Sequence, residues 1–170
     1  MKFTQVADEI NMMAEHDQRI RSDFYSIPAE RQKKKHENII APIDEKNTQR
    51  IKQIIEEIGY PTISKVGKTA SFNTWLLVQH SPDQSFRSSC LQLMQNEKND
   101  INPQNIAYLE DRLNMLQNKP QRYGTQLRQD QETGRLKLYT ITDIKTVNDA
   151  RQAVGLGTLE EYLKTNNASI

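Results

Sequence analysis

Apolar residues recur along this chain at intervals of three and four, and the N-terminal stretch shows it best. Phe3, Val6, Ile10, Met13, Ile20 and Phe24 fall on one stripe of a helix. Asp17 stands in the same stripe, where the pattern asks for an apolar side chain. A buried carboxylate must be paired or hydrogen-bonded. Asp17 therefore either pairs with Arg21, four residues on, at a partly exposed edge, or marks the place where the stripe opens onto a polar pocket.

Pro42 and Asp44 open a second helix, with Asp44 as its expected N-cap and Ile51, Ile54, Ile55 and Ile58 as its apolar face. Followed backwards, that face reaches Asn47, which either shares the capping work or lines a pocket. Gly59 ends the helix and Tyr60-Pro61-Thr62 turns the chain. A third helix is expected from about Thr69 to His80, with Phe72, Trp75, Leu76 and Gln79 on one face, so that Gln79 sets an amide beside the core. After Ser81-Pro82 a fourth helix starts at Asp83 and buries Phe86, Cys90, Leu93 and Met94. Capping alone explains this corner, since Asp83 is a good N-cap and a helix C-terminus favours His80. The same corner can also form one wall of a pocket.

Asn102-Pro103 starts a fifth helix, with proline in the first turn. Ile106, Leu109, Leu113 and Leu116 form its stripe, and Arg112, flanked by Tyr108 and Met115, is expected to bury its stem. Asp111 precedes it and points another way. Beyond Pro120 the pattern changes. Alternation around Leu136 and Leu138, interrupted at Glu132-Thr133-Gly134, reads as a β-hairpin, with Tyr123 and Gln126 on its first strand. The tail returns to helix, opened at Thr142 or Asp143, closed at Gly155, and reopened by a capping box at Thr158 to Glu161. The whole reads as mainly α: a single-domain helical bundle of about five to seven helices with a small C-terminal antiparallel β-hairpin.

Composition narrows the function. With 170 residues, 35% of them hydrophobic, the chain can bury one sizeable core. Twenty-three basic against 22 acidic residues leave a net charge of +1, so there is no field to hold a polyanion, and nucleic acid is not an expected partner. The basic run Arg31 to His36 reads as a solvated inter-helix loop. The single Cys90 cannot form an internal disulfide, and its apolar neighbours suggest a packed, reduced thiol. The three histidines, His16, His36 and His80, are scattered and match no zinc spacing. The first twenty residues carry Asp8, Glu9, Glu15 and Asp17 and no apolar block. They resemble neither a signal peptide nor a membrane span, and with a mean hydropathy of -0.81 the expectation is a cytoplasmic protein without membrane contact, unless it is exported by a route needing no such signal.

In order along the chain, "GYPTISKVG", "WLLVQHSPDQSF", "YLEDR", "KPQRYGTQ" and "VNDARQAVGLGTLEEYL" resemble a widespread bacterial family known only as a domain of unknown function. Its members show a Gly-Trp-Pro turn, a Gln-His-x-Asp corner, a Tyr-Leu-x-Asp-Arg helix and a Tyr-Gly-Thr-Gln signature. The likeness runs from about Asp17 to Leu163. Tyr60 stands where the family has tryptophan, Pro82 replaces a small residue, and Arg87 stands where glutamine is expected. The resemblance implies a fold and a set of mostly polar positions: Asp17, Asn47, Gln79, His80, Asp83, Asp111, Arg112, Gln121, Tyr123 and Gln126.

Those positions suggest a shared polar pocket. In an enzyme, His80 would act as general acid or base, since histidine changes charge near neutrality, with Asp17 or Asp111 orienting its ring. Arg112 would clamp an anionic group, and Gln79, Asn47, Asp83, Gln121, Tyr123 and Gln126 would shape the ligand site. Hydrolysis or group transfer on a small polar or anionic substrate is the reading, without cofactor or metal. No nucleophile elbow, phosphate loop, metalloprotease motif or dinucleotide fingerprint is present. The alternative keeps the same residues in a ligand-binding or protein-interaction module without turnover.

Overall fold

A computed structural model describes residues 3–130 and 134–170. They fall into two compact units, one ending at Ile101 and the other beginning at Asn102.

The first unit is helical. α1 (Phe3–Arg21), α2 (Ala29–Lys35), α3 (Ala41–Ile58), α4 (Ile63–His80) and α5 (Gln84–Asn96) follow one another along the chain. Its core is built from Val6, Ile10 and Ala14 of α1, Ile51 and Ile54 of α3, Ala70, Leu77 and Val78 of α4, and Cys90 and Met94 of α5. Burying each large aliphatic side chain contributes about 1.5–3 kcal/mol. The apolar spacing of α1 places Val6, Ile10 and Asp17 on the buried face, where Ala14 joins them, whereas Phe3 is exposed and Met13 half-buried.

Three local expectations are corrected here. The run Arg31 to His36 lies in and just after α2, not in a loop. Pairs spaced by four residues, Lys34 with Glu30 and Lys33 with Glu37, give this exposed helix its support. Asp44 is not an N-cap. The chain stays helical from α2 through a single wide turn, His36–Ile40, into α3, and Ile40 itself has helical angles. The wide turn, in which the Ala41 N–H bonds the His36 carbonyl, lets the chain carry Pro42 without a break, since proline has no N–H to give. Asp44 and Asn47 therefore both sit inside the helix, and neither caps it.

The buried face of α4 is also displaced from the expected one. Ala70, Ser71, Thr74, Leu77, Val78 and Gln79 are inside. Phe72 is 44% exposed and stacks on Trp75 at a centroid distance of 5.2 Å. Small residues on the inner face let α1 approach along its length, and Phe72 is left to the outside with Trp75 half-buried beside it. Gly67, at φ +81°, kinks the helix near its start.

The second unit begins with α6 (Pro103–Leu116), capped by the Asn102 side chain, which accepts from the Gln104 N–H at 3.0 Å. β1 (Leu127–Gln129) and β2 (Leu136–Leu138) pair antiparallel, Leu127 opposite Leu138. Glu132 and Thr133 of the expected turn lie outside the described residues. α7 (Val147–Ala153) and α8 (Leu159–Thr165) follow, the latter opened by a complete capping box between Thr158 and Glu161. β3 (Ala168–Ser169), which the hydrophobic pattern does not announce, adds parallel to β2. Leu138, Val147, Leu159 and Leu163 form the core of this unit. The protein is thus mainly helical with a small sheet near its C-terminus. Among the described residues, no helix is long and apolar enough to cross a membrane.

Candidate functional site

α4 ends at His80 because Ser81 leaves the helical region ahead of Pro82. The Asp83 carboxylate then caps α5, accepting from the Phe86 N–H at 2.9 Å and from Lys52 Nζ at 2.8 Å. These contacts fix the corner, and they aim the His80 ring at α1.

There it meets Asp17. His80 Nδ1 lies 2.9 Å from Asp17 Oδ2, and Arg21 Nε donates to Asp17 Oδ1 at 3.0 Å. Arg21 also bonds Asp44 through its other arm. Asp17 is fully buried and Asp44 is 8% exposed. Asp17 thus pairs with Arg21 as expected, but in the interior and not at a partly exposed edge, and it shares the carboxylate with His80. Burial would push its carboxyl upward, but the hydrogen bonds and charges of His80 and Arg21 outweigh that, and it titrates below the ordinary aspartate range. Asp44 goes the other way. Burial pushes its carboxyl up, and Arg21 offsets this incompletely.

An ionised carboxylate can only accept, so Nδ1 of His80 carries the proton. The lone pair of the neutral ring then resides on Nε2. With about a quarter of its side chain exposed, the ring is held on its inner edge and reachable elsewhere.

Asp17, Asp44 and His80 can each also offer one ligand atom to a cation, all within 4.8 Å of one another. The Arg21 guanidinium already supplies positive charge between the two carboxylates, so a metal ion at this place would have to displace it.

Near this cluster in sequence, two amide side chains are left incomplete. Asn47, one turn along α3 from Asp44, is buried, and its Nδ2 finds no acceptor among the described residues. Gln79 is buried too, and its Oε1 finds no donor there. Buried polar atoms are nearly always satisfied.

The remaining candidates lie in the second unit, where they form a set of their own. Asp111 is fully buried and accepts from the backbone N–H groups of Arg122 (2.8 Å), Tyr123 (3.1 Å) and Thr125 (2.9 Å), and from the Thr125 hydroxyl (3.0 Å). Gln121 donates to the carbonyls of Gln126 and Tyr139 and accepts from the Gln126 N–H at 2.7 Å. Gln126 donates onward to the Thr125 hydroxyl. Tyr123 and Gln126 precede β1 and are not part of it, because Gly124 turns the chain at φ +65°. Tyr123 is buried, with the Arg122 guanidinium over its ring. Arg112 is half-buried on α6.

Sequence reasoning left three residues out of the candidate sites. Asp44 lies on the α3 face if the isoleucine spacing is carried back three more residues from Asn47. Arg21 entered as a partner of Asp17 alone, whereas it joins two carboxylates. Arg151 is 2% exposed and donates to the carbonyls of Tyr123 (2.7 Å) and Gly157 (2.6 Å). Its position four residues after Val147, on the buried stripe of α7, was the available signal.

Residues 4–169 match a protein family described as a family of unknown function (DUF6624). The chain belongs to that family. No curated protein and no solved structure matches it.

Proposed function

We propose that the chain is a proton-transfer enzyme, a hydrolase or group transferase for a small polar or anionic substrate, with His80 as general base and Asp17 as the residue that orients it. The observation that carries this is the bond from His80 Nδ1 to a buried, ionised Asp17. It fixes the tautomer and supports the imidazolium that forms when Nε2 takes a proton. Arg21 keeps Asp17 charged, and Asp44 holds Arg21. No serine, threonine or cysteine hydrogen-bonds His80 among the described residues, so the base would act on water or on a hydroxyl of the substrate itself. The proton passes to Nε2 as that oxygen attacks and returns to the departing group.

The test has two parts. Nitrogen-15 spectra of the histidine rings should show His80 protonated at Nδ1 in the parent and lose that preference in Asp17→Asn. A panel of activated esters, phosphate esters and peptides should then reveal a turnover that His80→Gln lowers by roughly 10²–10⁴-fold. An Nε2–H tautomer would remove the orienting role. Equal rates for parent and His80→Gln on every substrate would leave a binding module without turnover, the reading that the unsatisfied amides also support.

A further inference from the structure

We infer that the surface trough between α1 and α3 binds a short peptide with free termini and apolar side chains, a substrate class for the His80 site. Two depressions of about 520 and 560 Å³ share Glu9, Met13, Lys46 and Asn47 among their walls, so they form one continuous trough. Cavities of this size suit ligands larger than a single amino acid.

The lining has three chemical zones. Met12, 71% exposed, lies with Met13 and Ile43 on the apolar part. A methionine pair gives a surface that adapts to varied apolar side chains. Asp8 and Lys46 provide opposite charges, and neither enters an ion pair among the described residues. Glu9, by contrast, is taken up by a two-pronged contact with Arg50, at 2.6 and 2.9 Å. An ammonium fits Asp8, a carboxylate fits Lys46, and Met12, Met13 and Ile43 of the same trough offer contact to apolar side chains. That is the charge pattern of a zwitterionic peptide.

Asn47 is the independent observation. It lines both depressions, it is more than nine-tenths buried, and its Nδ2 lacks an acceptor. That atom is closed off from solvent in the unliganded chain, so a peptide carbonyl in the trough becomes its acceptor once the side chain turns outward. Asp17, Asp44 and His80 line neither depression, but the trough lies within a turn of the two aspartates along the sequence of each helix. Met13 stands one turn before Asp17 on α1, and Asn47 one turn after Asp44 on α3. The inference therefore rests on the proton-transfer reading for its link to chemistry, while the binding event itself does not.

Calorimetric titration of the full chain with Ala-Leu-Ala, free at both termini, tests it. Saturable binding is expected, weakened at least about ten-fold by Lys46→Gln, by Asp8→Asn and by raising the salt to 1 M, where exposed charges are screened. The N-acetylated, C-amidated peptide should not bind, and free leucine should bind far more weakly. Asp8 and Lys46 are exposed, so these variants should keep the circular dichroism of the parent. Absence of saturable heat would overturn the inference, as would equal affinity for the capped peptide or for leucine. An intact Nδ1–H signal from His80 in the same sample would show that the dyad survives that failure. Binding retained in His80→Gln would separate recognition from catalysis.

Discussion

Replacing Asp17 with alanine should cost about 3 kcal/mol of folding stability. The side chain is fully buried and accepts from Arg21 Nε at 3.0 Å and from His80 Nδ1 at 2.9 Å, tying α1 to the end of α4. Hydrogen bonds to charged groups contribute about 1.5–3 kcal/mol each, and breaking a buried ion pair by removing one partner costs about 3–5 kcal/mol. The lower end applies here. Arg21 keeps Asp44, and both Arg21 and His80 have about a quarter of their side chains in contact with water, so neither is left stranded. Urea unfolding at pH 7, followed by circular dichroism, measures the difference as a shift in midpoint at unchanged slope. Glu9→Ala is the control, because its contact with Arg50 is more exposed and should contribute below about 1 kcal/mol.

The pH dependence carries the sign. Asp17 has its folded pKa depressed, so its contribution is complete above the ordinary aspartate value near ~3.9 and fades as pH falls through the lower folded value. The gap between parent and Asp17→Ala should close in acid, below the ordinary aspartate range. Asp44 has its folded pKa raised, so its protonation adds stability as pH falls through that value. The parent should show a shallow gain before the acid loss, and Asp44→Asn should remove the gain. A cost below about 1 kcal/mol for Asp17→Ala, or a gap that fails to close below the ordinary aspartate range, would refute a buried ionised carboxylate.

Two further outcomes test the rest of the molecule. Burial, reinforced by the charge of Asp83, pushes the Cys90 thiol up to about 12; alkylation at pH 8 should therefore be roughly a thousand-fold slower in the native protein than in urea, and equal rates would contradict its packing. Asp111→Ala removes the acceptor of the Arg122, Tyr123 and Thr125 amides; it should cost about 3 kcal/mol or more and speed hydrogen exchange of those amides, whereas unchanged exchange would show that Asp111 does not hold that loop.

Much of this protein is local and hence written in its sequence. The first helix, the caps at Asp83, Asn102 and Thr158, the stop at Gly59 and the β1–β2 pairing each depend on a few neighbouring residues, and each follows from side-chain spacing or from a capping side chain. Asp17 was also legible as a misfit, because one polar residue in an apolar stripe breaks a simple period. What periodicity cannot carry is the identity of a partner across the chain. Asp44 looks like a cap beside Pro42, and its engagement with Arg21 depends on where α1 lies against α3. The buried face of α4 turns away from Phe72 because α1 approaches along the small residues, a choice made by packing. Gln121 and Gln126 carry polar atoms in a short span, and only the closed loop assigns them, Gln121 to the backbone of Gln126 and Tyr139 and Gln126 to the Thr125 hydroxyl. Polar side chains have several possible partners within reach, and the fold, by fixing distances near 3 Å, selects one.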